Sequence, residues 1–181
     1  MVIQFLISCV YFFLPAYFTN MAPPLAGRIN ILAIPVDFGK KLGGKPILGS
    51  HKTWRGVLFG LMTGISVAYC QLWLYQLPVI RKISFFDYSE VNILALGFLL
   101  SAGVLFGDML FSFFKRRLNL IPGQPWLPFD QIDYVVGAFL FLTPYLALDI
   151  TIWLTIFVLS FFLHIIFNRL GYWIGLHNSK W

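Results

Sequence analysis

Charge is scarce in this chain, and carboxylates are scarcest. Only 7 Asp and Glu stand against 13 Lys and Arg, charged residues make up 11% of 181, and 59% are hydrophobic. With a mean hydropathy of +0.81, such a chain offers too little polar surface for a water-soluble globule of its length, so it is an integral membrane protein. Cys9 and Cys70, the two cysteines, lie inside apolar runs without metal-ligand spacing and read as packed thiols. No basic residue precedes the first apolar run, which therefore lacks the charged start of a secretory signal and reads as a retained span. Repeats, low-complexity tracts and long linkers are also missing, which leaves a single domain over residues 1–181. A net charge of +6 raises nucleic acid as a partner, but the cations sit beside apolar spans, where membrane lipids and phosphate groups are nearer, and nucleic acid is set aside.

What the chain does have is five apolar runs, at residues 2–18, 56–77, 91–114, 130–148 and 150–167. Each approaches the ~20 residues that a ~30 Å hydrocarbon core requires, so the expected fold is an all-α polytopic membrane protein of five transmembrane helices. Asn20 and the Pro23-Pro24 pair are expected to end the first, because proline removes a donor and restricts the residue before it. After runs one, three and five there are six, three and two basic residues, against two after run two and none after run four. Lys and Arg collect in cytoplasmic loops, so this asymmetry places the N-terminus outside, the C-terminus inside, and the loops at about 26–55 and 115–130 in the cytoplasm. Trp173 and Trp181 fit an aromatic belt at the membrane interface.

The few acids are the more telling for being few. A charged side chain in hydrocarbon costs ~2.5 to 3.5 kcal/mol on the more lenient scale, so Asp108, near the end of the third run, is a functional candidate. On a helix, Asp108, Ser112 and Lys115 share a face. Asp130 and Asp133 open the fourth run three residues apart; alone they also read as a helix cap and a first-turn acid. Together with Asp108 they supply oxygen ligands for a hard divalent cation such as Mg²⁺, with Lys115 and Arg116 free to neutralise phosphate oxygens. Lys40, Lys41, Lys45, Lys52 and Arg55 add cations to the glycine-rich loop at 26–55, where Thr53 stands at the start of the next helix and free N–H groups favour anions. That loop is no Walker A, for its spacing is wrong and no strand precedes it. A loop so basic also serves simply to fix topology, and His51 has no partner for acid–base work. The whole pattern points to phosphoryl or nucleotidyl transfer at a membrane, with a phosphorylated-solute transporter as the competing class.

Ser112-x-x-Lys115-Arg116, followed fourteen residues later by Asp130-Gln131-x-Asp133 and preceded by Gly107-Asp108, is similar to the signature of the membrane cytidylyltransferases that make CDP-activated lipids. Leu14-Pro15-Ala16-Tyr17, Asn20-x-Ala22-Pro23, Pro35-x-Asp37-Phe38-Gly39 and His51-Lys52-Thr53-Trp54-Arg55-Gly56 resemble the archaeal-type CDP-archaeol synthases over nearly the whole chain. The resemblance implies a five-span, Mg²⁺-requiring enzyme that joins CTP to digeranylgeranylglyceryl phosphate and releases pyrophosphate. Carried onto this chain, it puts Lys52, Arg55, Lys115 and Arg116 in catalysis, Asp108, Asp130 and Asp133 on metal, and Lys40, Thr53 and Ser112 on CTP, with Asn20, Asp37 and Gln131 as further candidates. Two departures stand out. Gln131 replaces the arginine of the bacterial phosphatidate-using enzymes, favouring the archaeal-type branch, and Gly49-Ser50-His51-Lys52 stands where many relatives carry an acidic residue. Phosphatidic acid is the alternative lipid.

Overall fold

The computed structural model describes residues 1–27, 29–121 and 124–173, so the expectation for Trp181 lies outside it. Its helices are α1 (Val2–Ala26), α2 (Trp54–Leu74), the short α3 (Pro78–Ile83), α4 (Ile93–Arg117), α5 (Asp133–Leu142) and α6 (Ile150–Trp173). Strands β1 (Lys41–Leu42) and β2 (Lys45–Pro46) pair antiparallel in the loop between α1 and α2.

Four of the described helices, α1, α2, α4 and α6, are long and apolar enough to cross a membrane. The fourth apolar run does not form a fourth full span. α5 has 10 residues, which at 1.5 Å each reach only ~15 Å, about half a hydrocarbon core. It begins at Asp133, preceded by a single 3-10 turn at Phe129–Gln131, and stops before Pro144, which has no N–H to continue the helical ladder. At α5's far end the Tyr145 hydroxyl donates to the Asn92 carbonyl beside the start of α4, so α5 runs antiparallel to α4 and covers only its N-terminal part, up to Gly107. Of the residues before it, Gln124, Pro125, Asp130 and Gln131 line a polar cavity. Non-helical backbone at membrane depth is tolerated where it lines a polar cavity.

α1 also departs from expectation, continuing through Pro23 and Pro24 to Ala26. Packing explains the extension. The backbone of Gly56, in the first turn of α2, approaches so closely that an added Cβ would lie 3.1 Å from the Pro23 ring. Pro15, also inside α1, has no N–H for the Tyr11 carbonyl, and Gln71 of α2 supplies one instead, with its Nε2 donating to Tyr11 O at 2.5 Å. Tyr11 returns its hydroxyl to Gln71 O at 3.3 Å.

Small residues let these helices touch. Gly60 and Gly64 of α2 lie against Leu105 and Ser101 of α4, and Gly64 also against Thr19 of α1. Gly103 and Gly107 of α4 meet Gly137 of α5 backbone to backbone. Four-residue spacing of small residues permits this closeness, which matters where lipid removes the hydrophobic drive for helices to associate. The interhelical space at the far end is filled by aromatic rings. Phe85 and Phe86 follow α3 and set their centroids 6.1 and 6.0 Å from that of Phe12, while Tyr88 is 1% exposed. The connection after α2 is therefore a plug in the bundle's end. Cys9 is buried as expected, whereas Cys70 is exposed on the outside of α2.

Candidate active site

The C-terminal part of α4 carries the site. Asp108 lies nine residues before the helix end at Arg117, ~13 Å along the axis at 1.5 Å per residue, and so well inside the depth of the spans. Ser112, Lys115 and Arg116 follow on the same side. α5 brings its first residue, Asp133, against α4 because Gly107 has no side chain: an added Cβ there would collide with the Asp133 carbonyl. The turn before α5 brings Asp130 and Gln131, and the loop after β2 brings Gly49, His51 and Lys52. Asn20 of α1 and His164 and Asn168 of α6 complete a cavity of about 360 Å³.

Two ion pairs frame it. Lys52 Nζ lies 2.6 Å from both carboxylate oxygens of Asp108, and Lys115 Nζ lies 3.0 and 2.8 Å from those of Asp130. Asp130 also accepts from the Trp126 N–H at 2.8 Å, which ties the irregular segment to the cavity wall. Asp133 is 7% exposed and has no cation within ion-pair distance among the described residues; its Oδ1 accepts from the next amide, Tyr134 N–H, at 2.6 Å. Arg116 is equally buried. One of its terminal nitrogens donates to the Ile121 carbonyl at 3.4 Å, and its Nε finds no partner among the described residues, nor does Gln131 Oε1. Buried donors and acceptors left unmatched carry a desolvation cost, which a bound ligand relieves.

Nine of the residues singled out in the sequence therefore meet in one space: Asn20, Lys52, Asp108, Ser112, Lys115, Arg116, Asp130, Gln131 and Asp133. Four do not line it. Thr53 caps α2, its hydroxyl accepting from Gly56 N–H at 3.3 Å. Arg55 turns the other way and donates to the Ile29 carbonyl. Lys40 is exposed in the hairpin loop. Asp37 accepts from the Gly39, Leu48 and Gly49 amides at 2.9, 2.8 and 3.1 Å, shaping the backbone that delivers Lys52. The β1–β2 hairpin docks on the end of α4, where Lys45 Nζ donates to the Arg117 carbonyl at 2.9 Å. His164 and Asn168 went unread in the sequence. Their four-residue spacing inside an apolar helix is the signal that marks them, since both fall on one face.

A sequence model of CarS-like proteins, described as CDP-archaeol synthase, matches residues 2–181. This chain belongs to the CDP-archaeol synthase family. A CDP-archaeol synthase of Methanococcus aeolicus is 34% identical over 99% of both chains, and one of Methanocaldococcus jannaschii is 32% identical over 98% of both. A solved structure, described as that of an intramembrane enzyme for archaeal membrane lipids biosynthesis, superposes with a TM-score of 0.72 at 26% identity, covering 88% of this chain and 91% of that one. The archaeal-type resemblance read from the motifs is thus the correct one.

The family's motifs imply Mg²⁺, and the donor set suits it. Three carboxylates face one cavity, and a magnesium ion is commonly held by one or two carboxylates with phosphate oxygens and waters as its other ligands. Among the described residues no three or more His, Cys, Asp or Glu side chains gather closely enough to hold an ion by themselves. A magnesium ion held here would draw its remaining ligands from phosphate oxygens and waters.

Proposed function

We propose that the cavity transfers CMP from CTP to a lipid phosphate, releasing pyrophosphate and leaving a CDP-lipid, with digeranylgeranylglyceryl phosphate as the lipid. An oxygen of the lipid phosphate forms a bond to the α-phosphorus of CTP as the bond from that phosphorus to the bridging oxygen breaks, and the electron pair leaves with pyrophosphate. No general base is required, because the attacking phosphate is already an anion. Lys52, Lys115 and Arg116 stabilise negative charge on the reacting and departing phosphates, acting where low dielectric makes such contacts strong. Asp108, Asp130 and Asp133 would hold Mg²⁺ together with phosphate oxygens, and the ion would supply further charge neutralisation. When phosphates enter, Lys52 and Lys115 exchange a carboxylate partner for a phosphate oxygen. Ser112 offers a hydroxyl to the same group. Thr53 and Arg55 serve by fixing the start of α2, and Lys40 by adding positive potential at the mouth.

Five membrane-embedded helices, with the short α5 reaching the outer face, an external N-terminus and a cytoplasmic cavity mouth, fit the basic residues beside it. CTP is a cytoplasmic nucleotide, so the mouth has to open there.

The observation that carries this reading is the buried Arg116 guanidinium with an unmatched N–H, set among Lys52, Lys115 and three carboxylates. Purified protein is incubated with α-labelled CTP, Mg²⁺, digeranylgeranylglyceryl phosphate and dioleoyl phosphatidic acid at limiting CTP. Labelled CDP-diether with equimolar pyrophosphate is the expected result. No labelled lipid from either substrate would overturn cytidylyl transfer, and a preference for the diacyl lipid would overturn the choice of diether.

A further inference from the structure

α6 has fully buried residues only along its first half. Ile152, Trp153, Ile156 and Ser160 are buried, and from 161 to 170 none is. α6 is tied to α1 by the hydrogen bond between Tyr17 Oη and Ser160 Oγ at 2.9 Å. Both helices head toward the cavity end, for Asn20 of α1 lines the cavity while Gln4 at its start donates to the Lys82 carbonyl at the opposite end. One turn beyond the tie, Asn20 faces the cavity from one helix and His164 and Asn168 face it from the other. Met21 and Phe167, their sequence neighbours, are 51% and 57% exposed. The imidazole of His164 is held by stacking on Tyr134, with ring centroids 6.3 Å apart at 29°.

We infer that the crevice between α1 and α6 beyond the Tyr17–Ser160 bond is the lateral entrance for the lipid phosphate, and that His164 and Asn168 bind its headgroup as it enters. This rests on the cytidylyl-transfer reading. The ligand that fits is an anionic phosphate carrying two long apolar chains. Its phosphate meets Lys52, Lys115 and Arg116 within, while its chains stay in hydrocarbon beside Met21 and Phe167, so neither part is placed in the wrong solvent. CTP, polar at every end, gains nothing from that route and enters past Gly49, His51, Gln124 and Pro125 on the other wall.

The test separates the two substrates. With the full chain in detergent, KM is measured for digeranylgeranylglyceryl phosphate and for CTP in turn. His164→Ala raises the lipid KM about tenfold, the loss of one hydrogen bond to a charged group, without a matching rise for CTP. His164→Gln keeps an N–H donor and recovers most of the lipid affinity. A rise confined to CTP, no rise in either constant, or failure of the Gln variant to recover would each overturn the inference. A second measurement does not depend on turnover: a lipid phosphate with a diazirine in its chain is photoactivated on wild-type protein without CTP. Labelling at Met21 and Phe167, competed by digeranylgeranylglyceryl phosphate, supports the entrance, and labelling confined to α2 refutes it. If wild-type protein makes no CDP-lipid yet labels at these two residues, the reaction fails and the entrance stands.

Discussion

The Tyr11–Gln71 and Thr19–Ser101 contacts in the middle of the bundle place polar groups at membrane depth, as do the Lys52–Asp108 and Lys115–Asp130 pairs around the cavity. The first set is neutral and turned inward: Gln71 serves a carbonyl orphaned by Pro15, and Thr19 Oγ1 donates to Pro15 O at 2.7 Å with Ser101 Oγ 3.1 Å away. Interhelical hydrogen bonds of this kind contribute about 0.6 kcal/mol each and fix which helix faces touch. The second set is charged and turned toward empty space. Charges at this depth stabilise the fold poorly, because desolvation consumes most of what pairing returns. Their arrangement suits a charged ligand between them, and on that reading the two sets divide holding the bundle from doing chemistry.

The largest effect expected of any substitution breaks the second set alone. Asp133→Asn lowers turnover by about a thousandfold, the scale of removing a principal electrostatic group from a reaction centre, while the thermal midpoint in detergent does not fall below the wild-type value. Asp133 is buried and has no cationic partner among the described residues to lose, so removing its charge relieves a desolvation cost and breaks no ion pair. Asp108→Asn behaves alike in turnover, with only a small stability change because its pair with Lys52 is part-exposed. Near wild-type rates at saturating Mg²⁺ in either variant would refute the metal assignment.

Breaking the first kind of contact has the reverse signature. At Gly137 an added Cβ would lie 2.7 Å from the Gly107 nitrogen and 2.8 Å from its Cα, backbone atoms that cannot rotate aside. Gly137→Val is expected to cost about 3 kcal/mol of stability, read as a lowered midpoint for thermal unfolding, and to lower activity as Asp133 is pushed from α4. A stable variant would show that α4 and α5 have slack between them. Gln71→Leu is milder at about 1–2 kcal/mol, the penalty of leaving the Tyr11 carbonyl unpaired, with turnover per folded molecule unchanged.

The sequence exposed this division unevenly. Asp108, Ser112 and Lys115 were legible because charge stands out in an apolar helix and their spacing puts them on one face. Lys52 was legible through its motif, but its partner was not, since a contact across 56 residues leaves no local trace. Helix lengths misled at both ends of the site. Hydropathy counts apolar residues and cannot tell that residues 130–132 descend as irregular backbone, nor that packing against Gly56 carries α1 through two prolines. The glycines at 56, 60 and 64 and at 103 and 107 were the available signal for the close crossings, and periodicity of hydrophobic residues passes over them.

Asp37 sharpens the comparison at its weakest point, being a carboxylate with candidate status from sequence and no place in the cavity. Burial pushes its pKa up, but donors from Leu48, Gly39 and Gly49 together outweigh that and hold it below the ordinary carboxylate value. A group whose folded pKa is lowered contributes stability that is present above the unfolded pKa, about 4, and is lost as pH falls through the folded one. Wild-type protein should therefore lose thermal stability between about pH 5 and pH 2 in part through this carboxylate, and Asp37→Asn should lose less over the same range. Asp87 and Asp149, held low by Ser89 and Thr151, lose their contribution in both proteins, so only the difference between the two curves reports Asp37. Above that range the variant is less stable by about 1 kcal/mol, and because the same amides shape the approach to Lys52, its KM for CTP rises two- to threefold, roughly half that energy. Parallel pH curves would show that the amides hold the loop without needing the charge, and an unchanged KM would show that Lys52 is positioned by α2 alone.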